Sequence, residues 1–226
     1  MCIRDRFSAL EPVALVGMAI YAYSALRRSG LAHPNTLALH WTVGSAVFTM
    51  FGAGLLGLAH TWPAVNKWTH GTLITPMHGH AAFYGAYAMI VLAVIAYALP
   101  SLTQNRPVAD DAVTQSRATA PEAMEHPLGY WAFWLQVAGM FGMTISFATA
   151  GIGQVYLERI LGLGFLETQL KIQVHFLMLL GTAFIFTAGA VLYIWDFFRT
   201  SPNLLPADNT APPDRAIAPT GAASLR

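Results

Sequence analysis

Five stretches of this chain are long, apolar and nearly free of charge, and they leave few folds open: Phe7–Leu26, Asn35–His60, Gly71–Leu99, Leu128–Leu157 and Ile172–Phe198. Crossing the hydrocarbon core of a bilayer takes about 20 such residues in helical form. Each stretch reaches that length, and none alternates apolar with polar residues as the strand of a membrane barrel does. Backbone in hydrocarbon must satisfy its own polar groups. The expectation is therefore an all-α, polytopic membrane protein with five transmembrane helices. Composition agrees, since only 10% of the 226 residues are charged and the mean hydropathy is +0.50, whereas a soluble domain carries about 25% charged residues.

The remaining segments are short and polar. Met1–Arg6 is abrupt and unlike the apolar run after it, and reads as a non-native start. It leads into a span too long to be the apolar core of a cleavable leader. Cys2 is the one cysteine, so no internal disulfide is available. Ser101–Pro127 reads as a mobile cytoplasmic loop, and Ser201–Arg226, rich in Pro, Ala and Asp, as a disordered tail. The spanning part is thus residues 7–200. A net charge of +1 argues neither way about nucleic acid. No basic cluster, phosphate loop, internal repeat or zinc spacing is present, and no nucleic-acid partner is expected.

Lys and Arg favour the cytoplasmic side of a membrane. Arg27, Arg28, Arg106, Arg117, Arg199, Arg215 and Arg226 fall in the first loop, the third loop and the tail. Lys67, Arg159 and Lys171 fall in the second and fourth loops, joined by Arg4 and Arg6 if the first six residues count. The bias places the tail inside and the loop Thr61–His70 outside.

Within the third span stand two histidines separated by one glycine, His78-Gly79-His80. On a helix, positions two apart are turned by about 200°, so these imidazoles leave opposite sides of one rod. They cannot grip one small ion together, as a pair spaced four apart can. Each can hold a different centre. Haem is a large apolar disc whose iron takes an axial nitrogen, and intramembrane ionisable groups are functional by default. Two haems flanking one helix is the reading this arrangement favours; the alternative is two histidines bonded to neighbouring helices in a packed bundle. With Gly71 as the start of the span, His78 lies about 10 Å and His80 about 13 Å into it. Gly79, Ala81 and Ala82 leave clearance beside the pair, and Pro76 frees a backbone carbonyl and is expected to kink the helix before it.

Glu11 is the only acid of the first span. A carboxylate at mid-bilayer costs about 2.5–3.5 kcal/mol on insertion scales, so it is protonated, paired or beside water if it lies there. Pro12 disfavours helical geometry at Glu11, and the second reading is an interfacial acid at a helix start. Lys67, His70, Trp62 and Trp68 lie just above the histidine pair, where they can meet anionic haem propionates or form an interfacial belt. His40 and His175 are expected to bond across helices. The runs Gly44…Gly52, Gly54, Gly57 and Gly139, Gly142, Gly151, Gly153 read as close helix packing.

Phe7-Ser-Ala-Leu-Glu-Pro12, Phe51-Gly-Ala-Gly-Leu-Leu-Gly57, Thr69-His-Gly-Thr72 and above all His78-Gly-His-Ala-Ala-Phe-Tyr-Gly-Ala-Tyr87 carry a family resemblance. The chain resembles the catalytic, haem b subunit of bacterial nitric oxide reductase of the cytochrome c-dependent type, a branch of the haem–copper oxidase superfamily. The resemblance covers about Phe7 to Phe198. It is strong to residue 100 and weaker after it, with Gln154-Val-Tyr-Leu157 the best later fragment.

The resemblance implies an alignment with the last five helices of a twelve-helix bundle. His78 would be the proximal ligand of a high-spin haem b, where nitric oxide reacts, and His80 an axial ligand of the low-spin haem b that feeds it electrons. Glu11 falls on a glutamate beside the dinuclear centre and takes the catalytic role, and His70 on a residue near the propionates. The family's non-haem iron ligands and the second low-spin ligand lie on earlier helices that this chain does not contain. The chain is therefore expected to be a C-terminal fragment, inactive alone. The implied reaction of the complete protein joins two nitric oxide molecules, with two electrons and two protons, into nitrous oxide and water. A small membrane-anchored cytochrome c subunit would deliver electrons at the outer face of a bacterial inner membrane, with the C-terminus cytoplasmic; calcium between propionates is left open. Two rivals are an oxygen reductase of the same superfamily and a non-catalytic haem-binding membrane subunit. Gly79 follows the reductase pattern, where many oxidases place a bulkier residue.

Overall fold

The computed structural model describes residues 11–30, 35–103 and 127–200. Met1–Arg6, the tail and the acidic, Pro-rich part of the third loop lie outside the described residues. Among those described there is no strand. Helix α1 spans Glu11–Ser29. Helix α2 runs over Thr36–Thr61, followed by the short α3, Pro63–Thr69. Helix α4 covers 74–103, α5 Pro127–Ile160, α6 Phe165–Lys171 and α7 Gln173–Thr200. The third loop is shorter than expected, because α4 continues through Thr103 and α5 begins at Pro127.

Four rods are long and apolar enough to cross a membrane: Thr36–Thr61, Ile74–Ala98, Pro127–Ile160 and Gln173–Arg199. Five were expected. Helix α1 is the one that does not qualify among the described residues. The apolar start of its stretch, Phe7–Leu10, lies outside them, and Arg27 and Arg28 occupy its last turn.

Successive long helices from α2 onward run antiparallel. Asn35 shows how α2 begins and where it sits. Its side-chain oxygen accepts the Ala38 N–H at 2.9 Å, satisfying one orphan donor of the first turn, while its amide donates to the Ala96 carbonyl at 2.7 Å. Further along the same pair, the Ser45 hydroxyl donates to the Gly85 carbonyl at 2.6 Å. Between α5 and α7, Gly139 meets the Phe186 backbone and Gly189 meets Gln136. In lipid such close contacts replace the hydrophobic drive that packs helices in water.

The densest core gathers where α2 begins, α4 ends and α5 begins. Trp41 is fully buried there, edge-on to Phe133 at 5.0 Å and to Tyr193 at 5.5 Å, with Met89 and Met140 in the same cluster. Large apolar side chains elsewhere face outward, among them Phe51, Phe83, Leu177 and Phe198. The histidine pair lies toward the other end of the bundle, where α2 approaches α4 through Gly52 and Gly57.

Candidate haem-ligand site

Helix α4 starts at Ile74, three residues later than hydropathy places it. Gly71, at φ +75°, turns the chain in a conformation that costs other residues a steric clash, and Thr72 continues the turn. His78 is therefore about 6 Å and His80 about 9 Å from the helix start. Pro76 falls in the first turn, where no intrahelical partner awaits its missing N–H. The freed Thr72 carbonyl instead accepts the Thr75 N–H at 3.0 Å. The expected mid-helix interruption is thus a helix opening.

From this rod the two imidazoles depart toward different neighbours. His78, partly buried, reaches α2, and its Nδ1 lies 2.7 Å from the Gly52 carbonyl oxygen. His80 is exposed, lies against Phe147 of α5 at 5.0 Å between ring centroids, and has Nδ1 2.8 Å from the Pro76 carbonyl oxygen. A carbonyl can only accept, so Nδ1 carries the proton in both rings. In the neutral ring Nε2 then keeps its lone pair. That is the tautomer in which histidine ligates a metal through Nε2 while a carbonyl holds its other nitrogen. Nothing meets a Cβ placed on Gly79 within 4 Å, so the space between the two rings is open. This chemistry suits each imidazole to hold a haem iron.

Helix α2 approaches α4 closely because Gly52 has no side chain. A Cβ there would sit 2.6 Å from Ala81 C and Ala82 N, both backbone atoms that cannot swing aside. Gly52 belongs to a π-helical segment, Thr49–Leu56, one of three among the described residues, with Tyr84–Ala88 and Val155–Ile160. Wide turns of this kind occur frequently at functional sites.

Sequence reasoning passed over two residues here. His60, near the end of α2, stacks on His78 with ring centroids 5.2 Å apart and planes 24° apart. Gln154 of α5 is almost fully buried and accepts the Leu73 N–H at 3.0 Å, holding the start of α4. Only the Gln154-Val-Tyr-Leu157 fragment signalled the second, and nothing local signalled the first.

None of the other expected side chains, among the described residues, hydrogen-bonds to the pair or stacks on it. Glu11 is the first described residue of α1, and its side chain lies outside the described residues. His70 caps α3, and its carbonyl accepts from the Arg159 guanidinium at 3.4 Å. Lys67 stands over the Trp68 ring at 5.0 Å. His40 and His175 do not hydrogen-bond across helices: their Nδ1 atoms turn back to Thr36 O at 2.7 Å and Ile172 O at 3.2 Å. A carbonyl three or four residues back takes each ring nitrogen, and His40 meets α5 by ring edges, at Tyr130 and Phe133. Among the described residues no three His, Cys, Asp or Glu side chains come together as a metal site. An apolar cleft of about 510 Å³ between α1, α2 and α4, lined by residues such as Ala38, Val43 and Val94, lies toward the opposite end of α4 from His78 and His80.

Residues 3–185 match the family described as Cytochrome C and Quinol oxidase polypeptide I. A curated relative, the B subunit of nitric oxide reductase from Stutzerimonas stutzeri, is 35% identical over 195 residues, which covers 84% of this chain and 39% of that protein. The chain thus spans well under half the length of that relative.

Proposed function

The chain belongs to the cytochrome c and quinol oxidase polypeptide I family, and from that premise we propose that it is the C-terminal part of a nitric oxide reductase catalytic subunit. The reaction of the complete protein combines two nitric oxide molecules, two electrons and two protons into nitrous oxide and water. The observation that carries this reading is the pair His78 and His80, which face different helices with Nδ1–H held by a carbonyl and Nε2 free. The 35% identity to a protein named for that activity supports it.

His78 would hold the high-spin haem b and His80 one face of the low-spin haem b. Bound haem iron supplies one-electron transfer and, at the high-spin centre, a position for nitric oxide. The chain's own part is to orient both ligands from one rod, which keeps the electron path short. Gly52, by accepting from His78, raises the basicity of the nitrogen that binds iron. His70 and Lys67 bring polar groups to the outer end, where propionates would lie. Glu11 is proposed as the proton-handling acid. The ligands of the non-haem iron and the second ligand of the low-spin haem would come from earlier helices of the complete protein, and a small membrane-anchored cytochrome c would deliver electrons at the outer face. That protein would lie in a bacterial inner membrane with its tail cytoplasmic.

Substitutions test the split. In the complete protein, His80→Ala is expected to abolish the low-spin haem spectrum while high-spin haem remains. His78→Ala is expected to remove the high-spin centre and its response to carbon monoxide. Loss of the same haem in both variants, or of neither, overturns the assignment. The family description favours a second reading, an oxygen reductase. Gly79 speaks for the first, and comparing nitric oxide with oxygen consumption in the purified protein decides between them.

A further inference from the structure

We propose that His60 is a positioning residue for His78, fixing the plane of its imidazole by stacking. This rests on the reading of His78 as a haem ligand. The bond from His78 Nδ1 to the Gly52 carbonyl, 2.7 Å, fixes where that edge of the ring points. It does not fix the ring's rotation about that direction, because the terminal torsion of histidine is broad and only two-fold. A second, flat contact is needed to stop the ring from rocking.

His60 supplies it. Its ring lies 5.2 Å from that of His78, centroid to centroid, with 24° between the planes, within the range of offset stacking. A stacking partner constrains only if it is itself held. The Nδ1–H of His60 donates to the Leu56 carbonyl at 2.8 Å. Gly52 and Leu56 both belong to the π-helical segment Thr49–Leu56, so one wide stretch of α2 anchors both imidazoles. Gly57 completes the seat, since a Cβ there would come within 3.2 Å of His78 Cε1. The remaining nitrogen of His60, Nε2, is buried and has no hydrogen-bond partner among the described residues. A buried polar atom without a partner is costly, about 1–3 kcal/mol. A leucine would carry no such cost but would offer no flat face, so the stacking contact with His78 is what favours a ring at this position.

The readout is the iron–histidine stretching band of the reduced high-spin haem, measured by resonance Raman on the complete, haem-loaded protein together with haem content. His78→Ala must first abolish the band; if it does not, the ligand reading itself fails and this proposal falls with it. Given that control, His60→Ala and His60→Leu are expected to shift or broaden the band beyond the wild-type linewidth with haem retained. His60→Phe, which keeps a flat ring and removes both nitrogens, is expected to restore the wild-type width. Should the alanine and leucine variants lose haem, retention by the phenylalanine variant alone supports stacking. An unchanged band in His60→Ala or His60→Leu overturns the proposal. So does a phenylalanine variant that shifts like alanine, or loss of haem in all three.

Discussion

At the scale of single residues, the chemistry depends on which nitrogen of each imidazole carries the proton, and backbone carbonyls settle that. Gly52 and Pro76 accept from Nδ1 of His78 and His80, so no carboxylate is needed to orient either ring. Glu11 is a different case, proposed from its place in the first span. An acid beside a metal pair in low dielectric can be neutral at rest and release its proton when charge builds up nearby. Glutamine preserves its size but carries no proton. Glu11→Gln in the complete protein is therefore expected to keep both haems bound and reducible while turnover falls by about a hundredfold or more. Nitric oxide consumption measured beside haem content checks this. Near-normal turnover would leave Glu11 as a helix-end residue, and loss of haem would make it structural.

Among the helices, α4 carries both histidines, so its start and its depth in the membrane decide where both rings stand. Three contacts set them. Gly71 and Thr72 turn the chain, Gly151 of α5 lets the backbone at Ile74 come close, and Gln154 accepts the Leu73 N–H. Gln154 is in turn held by Glu158, whose carboxylate accepts from its amide at 3.0 Å. Gln154→Leu keeps the bulk but strands that N–H at a partly buried helix end, a loss of about 1 kcal/mol. Hydrogen exchange is expected to quicken at the amides of residues 73–77 while the interior of α5 stays protected. Equal protection in both proteins would show that another group or water replaces the glutamine.

Taken whole, the bundle shows apolar side chains over much of its outside, as a membrane-spanning chain does. The half with the large core, around Trp41 and Phe133, is packed by its own side chains. The histidine half has small residues and open space beside Gly79. The isolated 226-residue chain is expected to insert in membranes with its tail facing the cytoplasm, to hold any haem loosely, and to show no nitric oxide reduction when electrons are supplied. A cytoplasmic reporter fused after Arg226 and an activity assay on the same membranes check both halves. Steady turnover by the isolated chain would sink the fragment reading.

Hydropathy was enough to establish that the chain is helical and membrane-spanning, because hydrocarbon forbids unsatisfied backbone and leaves only a few structures for apolar runs of this length. The helical period was enough to turn His78 and His80 apart. Both are local properties, legible in a window of a few turns. The first span shows where such a window stops: Phe7–Leu10 lie outside the described residues, and Glu11–Ser29 taken by itself does not meet the length and apolarity of a span. Packing between rods, and nothing local, brings His78 to Gly52 from 26 residues away, stacks His60 on it, and caps α4 with Gln154 from 81 residues away. Helices in lipid are sorted by small-residue contacts and single hydrogen bonds and not by apolar burial, so the glycines are visible in the sequence but the rod each one meets is not. For the same reason His40 and His175 looked like cross-helix partners until the nearest carbonyl proved to be in their own turn.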